Sequence, residues 1–347
     1  MRRKLRMGVI GLGMGRNHAR GYAACEHAEL AAVCDIDPKR LAERSPEFAP
    51  ARAYLRYREM FEKETLDAVS VATPNDLHCP ITCDALAAGL HVLCEKPMAM
   101  NAREAKKMRD LAKRKKRRLM IHFNYRWGRE ARAVKAFVDA GELGKVYWGR
   151  TRWLRSRGFP GLGGWFTRRR RSGGGPLIDL GVHRVDLALW LMGYPEPASV
   201  SAAVYGHLSR RAARRQKKHC DIEDLASALV RFKDGSALIV EASWDLNGER
   251  LEDQLTEIYG TDGGIIHRNL GDGYEYEARM FKEIGGRLVT ITPKLYGPKG
   301  PSTMAHFVEC IRKNREPEAT ADHGLTVMKI LDAIYESAAK GREVRIR

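Results

Sequence analysis

The stretch GVIGLGMGRNH, residues 8–18, decides how the first part of the chain folds. An apolar run of strand length leads into closely spaced glycines, and a segment with helical spacing follows from Arg16. Glycines allow a tight turn and let the backbone approach a pyrophosphate, whose charge is stabilised by the free N–H groups at the start of a helix. The stretch therefore predicts a dinucleotide-binding turn. Its residues are Gly11, Leu12, Gly13, Met14 and Gly15.

An acidic residue after the next apolar run supports this prediction, which needs support because the glycine spacing is one residue shorter than usual. Asp35 follows Gly15 by 20 residues, where an acid accepts hydrogen bonds from a ribose 2′-hydroxyl and repels a 2′-phosphate. Asp35 and its neighbour Ile36 therefore predict a site for NAD, while Arg16 and Arg40 leave room for NADP. The plainer alternative is a tight turn followed by a helix that Asp35 caps.

Strand-like and helix-like segments alternate along the first 120 residues, which predicts βαβ units and a parallel sheet. The apolar runs of strand length are 7–10, 30–34, 68–72, 90–94 and 119–123. Afterwards two helices precede a series of strands, and a helical tail ends the chain. The predicted fold class is α/β, with an N-terminal Rossmann domain over 1–123. A C-terminal α+β domain over 124–347 has a large, mostly antiparallel open sheet, and the C-terminal helices can pack back on the first domain.

Composition argues against a membrane or a metal partner. No run approaches the ~20 apolar residues of a membrane span. The polar residues 16–18 interrupt the apolar start of the chain before a signal peptide could form, so we expect a cytoplasmic protein. Seven scattered cysteines without a C-x-x-C pair predict reduced thiols and no metal site, with Cys79 and Cys83 as the weaker alternative.

The net charge of +18 includes three basic runs, at 113–118, 168–171 and 210–218. No aromatic residues are interleaved with them in the manner of a nucleic-acid site, so we interpret them as a solvated helix end and two solvated loops. The run at 168–171 precedes the glycines of a predicted helix. It could therefore also lie at the mouth of a pocket and favour an acidic sugar.

Two further motifs carry polar side chains at positions suited to chemistry. LHVLCEKPM, residues 90–98, ends an apolar strand with Glu95 and Lys96, at the end of an open parallel sheet where ligands bind. GGGPLIDLGVH, residues 173–183, begins a predicted helix that carries Asp179 and His183 on one face. Oxidation of a secondary alcohol needs a base such as histidine, which a nearby carboxylate can orient.

The combination of GLGMGRNH (11–18), ATPNDLH (72–78), CEKP (94–97) and GGGPLIDLGVHRVDLALWLMG (173–193) resembles the Gfo/Idh/MocA oxidoreductases over essentially the whole chain. The resemblance implies a Rossmann domain followed by an open-sheet domain that usually mediates oligomerisation, hence a homodimer or homotetramer. It also implies that Lys96 polarises the reacting oxygen and that His183 is the general base. Asp179 would orient the substrate, and Glu95 would face the cofactor.

The same resemblance suggests a cis peptide bond before Pro97 and further contacts with each ligand. The residues expected to line the cofactor are Thr73, Pro74, Asn75, His78, Glu95, Lys96 and Arg126. A structural salt bridge is an equal alternative for Arg126, and we interpret Asp186 as structural. The residues expected to face a sugar, or else to lie in the core, are Trp153, Trp165 and Phe166.

The sequence thus predicts an NAD-dependent dehydrogenase that acts on a secondary hydroxyl of a sugar, a cyclitol or a derivative. A glycoside-cleaving enzyme that oxidises, eliminates and re-reduces is a second reading within the same family. A non-enzymatic regulator is a third, which gives little reason to retain Lys96, Asp179 and His183 together.

Overall fold

The computed structural model describes residues 3–295, 300 and 302–346. The chain divides into two compact units. Unit 1 comprises Met1–His122 with Pro301–Leu325, and unit 2 comprises Phe123–Gly300 with Thr326–Arg347. The C-terminal tail therefore contributes residues to both units.

Unit 1 is built on a six-stranded parallel sheet. Its strands are β1 (Leu5–Ile10), β2 (Ala28–Cys34), β3 (Arg52–Tyr54), β4 (Ala68–Val71), β5 (His91–Cys94) and β6 (Leu119–Ile121). They pair in the order β3-β2-β1-β4-β5-β6, which confirms the predicted Rossmann sheet. Only β3 escaped prediction, because this short edge strand has two exposed residues and no apolar run.

The helices of unit 1 connect these strands. They are α1 (Gly15–Ala23), α2 (Pro38–Arg44), α3 (Tyr57–Lys63), α4 (His78–Ala87), α5 (Ala102–Lys115) and, from the tail, α10 (Thr303–Arg312). Side-chain caps define three of their starts, and Ser302 is the cap of α10. Asp37 accepts hydrogen bonds from the first turn of α2, and Asn101 accepts one from Glu104 N of α5 at 3.0 Å. These caps fix the residues at which the helices begin.

Unit 2 is built on a nine-stranded sheet. Its strands are β7 (Val146–Arg155), β8 (Pro197–Tyr205), β9 (Leu225–Phe232), β10 (Ala237–Ser243), β11 (Glu252–Gly260), β12 (Gly263–Asn269), β13 (Tyr276–Ile284), β14 (Arg287–Ile291) and β15 (Val344–Arg345). Their order is β14-β13-β12-β11-β7-β10-β9-β8-β15, and β10 with β7 is the parallel pair. The predicted, mostly antiparallel sheet is confirmed.

The helices of unit 2 include two that the sequence analysis assigned to loops. They are α6 (Arg129–Asp139), α7 (Arg169–Ser172), α8 (Val182–Leu191), α9 (His207–Gln216) and α11 (Ala321–Lys340), the last of which begins in unit 1. The basic run at 168–171 enters α7, and most of the run at 210–218 lies on α9. The loop assignment was wrong because arginine and alanine are good helix formers even without an apolar stripe. Among the helices of the described residues, none is both long and apolar enough to cross a membrane.

The two faces of the unit 2 sheet differ in what covers them. Helix α8 contacts the central strands β7 and β11, and Trp153 of β7 is buried on that side. Because side chains alternate along a strand, Arg150 and Arg152 point to the other side. There Arg150 pairs with Glu241 of the neighbouring strand at 2.8 Å. Helix α8 therefore lies over the centre of the sheet, and the opposite face carries a row of paired charges.

Candidate active site

The glycine-rich turn lies at the carboxyl end of β1, and close contacts shape it. Gly11 has a φ of +90°, and a Cβ there would lie 2.3 Å from the backbone oxygen of Ala72, so a side chain would clash. A Cβ on Gly15 would lie 2.9 Å from the Cγ1 atom of Val9, so a side chain would clash there too. Gly13 differs, since no described atom lies within 4 Å of its ideal Cβ position. This open space next to the backbone suits the close approach of a pyrophosphate.

Asp35, at the end of β2, is hydrogen-bonded to the glycine-rich turn. The carboxylate is 3% exposed and accepts hydrogen bonds from Leu12 N at 2.8 Å and Asp37 N at 2.9 Å. Arg40 Nη1 lies 3.0 and 3.2 Å from its two oxygens. A ribose would therefore share the Asp35 carboxylate with Arg40, a contact that the sequence did not predict. The neighbouring side chain of Ile36 is 84% exposed.

His78 connects two loops at the carboxyl edge of the unit 1 sheet. Its Nδ1 lies 2.7 Å from Pro97 O and its Nε2 lies 2.9 Å from Thr73 O. Burial lowers the pKa of His78, because the charged imidazolium loses its solvation. The imidazole is fully buried, so its contacts are with these loops. Of the other residues expected here, Asn75 is buried, while Thr73 and Pro74 are half-buried.

Glu95 and Lys96 lie where β5 ends, and the Lys96–Pro97 peptide bond is cis, as expected. Glu95 Oε1 lies 3.0 Å from His18 Nε2 and 2.8 Å from His122 Nδ1, while Oε2 accepts a hydrogen bond from Lys96 N at 3.1 Å. Burial alone would raise the pKa of Glu95. The charge of His122 and the hydrogen bonds from both histidines outweigh it and hold the pKa of Glu95 well below its usual value.

The segment that carries Asp179 and His183 is not the continuous α-helix that the motif at 173–183 predicted. It begins with a π-helical turn, Leu177–Gly181, and only then becomes α8. A π-helical turn widens the ring of backbone hydrogen bonds and is frequent at functional sites. An apolar pattern cannot reveal it, because the turn shifts the helical phase without changing which residues are apolar.

Two glycines let this turn start against a buried carboxylate. A Cβ on Gly175 would lie 2.2 Å from Glu223 O, and one on Gly174 would lie 1.9 Å from the Tyr335 hydroxyl. In the space that they leave, Glu223 accepts hydrogen bonds from Gly175 N at 2.9 Å and Leu177 N at 3.3 Å. The Tyr335 hydroxyl donates to the same carboxylate at 2.7 Å, while burial raises the pKa of Glu223. The GGGP motif therefore fixes the start of the segment that carries Asp179 and His183.

Aromatic rings surround His183, which is 9% exposed. The ring centre of Tyr125 lies 5.0 Å from that of His183, and the ring centre of Trp153 lies 5.8 Å away. Trp153 is held by a hydrogen bond from its Nε1 to Glu252 Oε1 at 2.5 Å. Trp153 thus lies beside His183 and is 4% exposed, and its place in a substrate wall stays a prediction.

Asp179 is tied to a second aromatic group. Its Oδ2 accepts a hydrogen bond from Trp244 Nε1 at 3.1 Å. Phe166 meets Trp244 edge-on with ring centres 6.2 Å apart, and it stacks on Trp165 with ring centres 3.9 Å apart. Trp165 and Phe166 are therefore linked to Asp179 through Trp244, a residue that the sequence analysis did not single out.

The buried guanidinium of Arg184 packs against several aromatic rings near His183. Arg184 is completely buried, and its Cζ lies 4.8, 5.3 and 5.7 Å from the ring centres of Tyr125, Trp153 and Tyr276. Burial lowers the pKa of Arg184. No pattern in the sequence indicated this contact, because Arg184 follows His183 in a run that is typical of an ordinary amphipathic helix.

Arg126 forms the structural salt bridge that the sequence analysis gave as the alternative to a cofactor contact. Its Nε donates to Asp186 Oδ2 at 2.8 Å, its Nη2 donates to Asp186 Oδ1 at 2.5 Å, and the Tyr194 hydroxyl donates to that same oxygen. The Arg126 side chain is fully buried and Asp186 is 1% exposed. Within unit 2 this ion pair joins the segment after β6 to α8.

Comparison with known proteins identifies the family. Residues 5–123 match an oxidoreductase family with an NAD-binding Rossmann fold, and residues 131–266 match the GFO/IDH/MocA C-terminal domain. The chain belongs to the Gfo/Idh/MocA family. This Gfo/Idh/MocA protein is therefore an oxidoreductase, and its unit 1 contains the NAD-binding domain, which confirms the predicted family, fold and cofactor.

Several similar proteins are named for the oxidation of sugars. D-glucoside 3-dehydrogenase of Escherichia coli (strain K12) is 29% identical over 351 residues, which cover 99% of this chain and 97% of the relative. Levoglucosan dehydrogenase of Pseudarthrobacter phenanthrenivorans is 28% identical over 97% of this chain and 96% of its own. A solved structure of levoglucosan dehydrogenase in complex with NADH has a TM-score of 0.86 at 26% identity, with 99% of this chain and 100% of that chain covered.

Proposed function

We propose that this Gfo/Idh/MocA oxidoreductase transfers hydride between NAD and a secondary hydroxyl of a sugar, a cyclitol or a derivative. The observation that carries the proposal is the arrangement of unit 2. It places Asp179 and His183 one helical turn apart, and the rings of Tyr125 and Trp153 flank the histidine. Aromatic faces bind the apolar face of a sugar ring, and a carboxylate accepts hydrogen bonds from its hydroxyls. Relatives named as dehydrogenases of D-glucosides and levoglucosan support this substrate class.

Each residue has one proposed task in the oxidation. His183 removes the hydroxyl proton, Lys96 stabilises charge on the oxygen, and Asp179 orients the substrate from its hydrogen bond with Trp244. The carbon–hydrogen bond breaks as the oxygen loses its proton, so the alcohol becomes a ketone. NAD, when bound, accepts the hydride. Among the predicted residues, we assign the buried side chains of His78 and Arg126 to structural contacts.

The cofactor contacts follow from the free space and the polar groups at the carboxyl edge of the unit 1 sheet. The pyrophosphate would lie against Gly13, and the adenosine ribose would bind Asp35. The exposed face of Ile36 offers apolar surface to the adenine. Thr73 and Asn75 would contact the nicotinamide half.

The glycoside-cleaving alternative differs in its products, which provides the test. Free polyols and glycosides are incubated with NAD, and both the absorbance of reduced nicotinamide and aglycone release are followed. A dehydrogenase accumulates NADH in proportion to the ketone formed. Aglycone release without accumulated NADH would favour the alternative, and a failure of every sugar and cyclitol to react would favour the regulator.

We also propose that the face of the unit 2 sheet opposite α8 mediates self-association into a homodimer or homotetramer. This face carries both charges, as in the Arg152–Asp253 pair at 2.7 Å, so a second copy can match it. Light scattering of the purified protein tests the stoichiometry. We expect Arg152→Glu, which places like charges opposite each other, to shift the protein towards the monomer.

A further inference from the structure

A triad of metal-ligating side chains lies in unit 1, and the proposed hydride transfer does not use it as a unit. His18 comes from α1, Glu95 from the end of β5, and His122 from the residue after β6. Each contributes one ligand atom, and these atoms all lie within 4.8 Å of one another. Among the described residues, it is the one such group of three histidine, cysteine or acidic side chains.

We propose that His18, Glu95 and His122 bind one divalent transition-metal ion of the kind that prefers imidazole ligands, such as Zn²⁺. Two histidines and one glutamate form a known ligand set for zinc, with a fourth position left for water. Zinc bonds of about 2.0–2.1 Å in a tetrahedral site separate the ligand atoms by roughly 3.4 Å. The two nitrogens lie 3.0 and 2.8 Å from Glu95 Oε1, so shifts of roughly half an ångström accommodate the ion.

The surroundings of His18 satisfy a requirement of metal-binding histidines, which is a partner for the second ring nitrogen. His18 Nδ1 lies 3.0 Å from Ser70 Oγ, and Ser70 Oγ lies 2.7 Å from the Tyr22 hydroxyl. Each hydroxyl can donate or accept. Without metal, Ser70 donates to Nδ1 while Nε2–H donates to Glu95. With metal bound at Nε2, the proton lies on Nδ1, and both hydroxyls reverse. The hydrogen-bond chain therefore supports either tautomer.

Charge and access also suit a cation. The carboxylate of Glu95 offsets one of the two positive charges, and its Oε2 stays fixed by Lys96 N, which leaves Oε1 as the ligand atom. The side chain of His18 is 1% exposed, whereas those of Glu95 and His122 are 10% and 16% exposed. The ion would therefore enter from the side of His122. The sequence predicted no metal site, because the three residues stand far apart in the chain.

The test is metal binding itself, so its outcome does not depend on turnover or on the substrate. Chelator-treated protein is titrated with Co²⁺, whose visible absorption reports a low-coordinate imidazole site, and its zinc content is measured after dialysis against Zn²⁺. We expect one ion per chain and a melting temperature that rises with Zn²⁺. His122→Ala and Glu95→Gln should each weaken binding at least about tenfold, and Ser70→Ala should weaken it by about ten- to a hundredfold.

His219→Ala is the matched control, because His219 forms an exposed ion pair with Asp221, at 3.1 Å, outside the triad. It should leave affinity and stoichiometry unchanged. The proposal is overturned if the wild type binds no ion under these conditions. It is also overturned if His122→Ala, folded by circular dichroism, binds as tightly as the wild type, or if His219→Ala removes the signal.

Discussion

Replacing Asp35 with asparagine removes one negative charge at the end of β2 while preserving the size of the side chain. A ribose hydroxyl that binds the charged carboxylate gains about 1.5–3 kcal/mol, and one that binds a neutral amide gains about 0.5–1.5 kcal/mol. The loss of about 1–1.5 kcal/mol weakens NAD binding roughly 5- to 15-fold. The amide oxygen can still accept the hydrogen bond from Leu12 N, now 2.8 Å from Asp35, so the glycine-rich turn should persist.

The same change should strengthen NADP binding, because two obstacles to a 2′-phosphate disappear. The carboxylate no longer repels the phosphate. Arg40 loses its ion pair with Asp35, at 3.0 Å, and can pair with the phosphate while it keeps its ion pair with Asp37, at 3.3 Å. The Arg40 side chain is 40% exposed, so we take the low end of a charge-assisted hydrogen bond, about 1.5 kcal/mol. That is roughly a tenfold gain. The ratio of the two affinities should therefore move roughly a hundredfold towards NADP.

Fluorescence titration of the tryptophans with NAD and NADP measures both affinities. Asp37→Asn is the control: it removes an equal charge two residues away, and Asp37 caps α2 by accepting from Lys39 N at 3.0 Å. An exposed charge of this kind should change the ratio by no more than about threefold. If Asp35→Asn changes the ratio no more than Asp37→Asn does, Asp35 does not select the cofactor, and the reasoning fails.

Three further outcomes are expected. His183→Ala and Lys96→Ala should each lower kcat by roughly 10²-fold or more with nearly unchanged affinity for NAD. An alanine variant that keeps full turnover would contradict the task proposed for the replaced residue. Gly175→Ala should cost about 1–3 kcal/mol in urea denaturation, because its Cβ would lie 2.2 Å from Glu223 O, whereas Gly164→Ala, with no described atom within 4 Å, should cost much less. Burial and the charge of Arg184 lower the pKa of His267 to about 3, so His267 stays neutral in the folded protein. The folded protein is therefore fully stable in this respect above pH 6.5, and it loses stability below pH 6.5 because the imidazole of the unfolded chain takes up a proton there. The wild type should lose about 2 kcal/mol more stability than His267→Phe between pH 7 and pH 5, and equal losses would show that His267 is not responsible.

Local patterns in the sequence predicted the Rossmann sheet and the polar residues at the carboxyl ends of its strands. Strands buried on both faces need continuous apolar runs, so β1, β2, β4, β5 and β6 were each visible as one. Parallel strands present their carboxyl ends on one edge of the sheet, which placed the glycine-rich turn, Asp35 and the Glu95–Lys96 pair there. The polar edge strand β3 lacks such a run and was missed. The family motifs likewise indicated Asp179 and His183 without any knowledge of their surroundings.

The sequence by itself therefore determined the fold class, the cofactor and the residue types of the candidate site, because each depends on local periodicity or on a short motif. Only the tertiary structure decided which of those residues are held by other parts of the chain. Arg126 pairs with Asp186 across 60 residues, Trp244 donates to Asp179 across 65, and His18 and Glu95 meet across 77. Such contacts depend on how distant elements pack, and hydrophobic periodicity carries no information about which buried polar side chains then become partners.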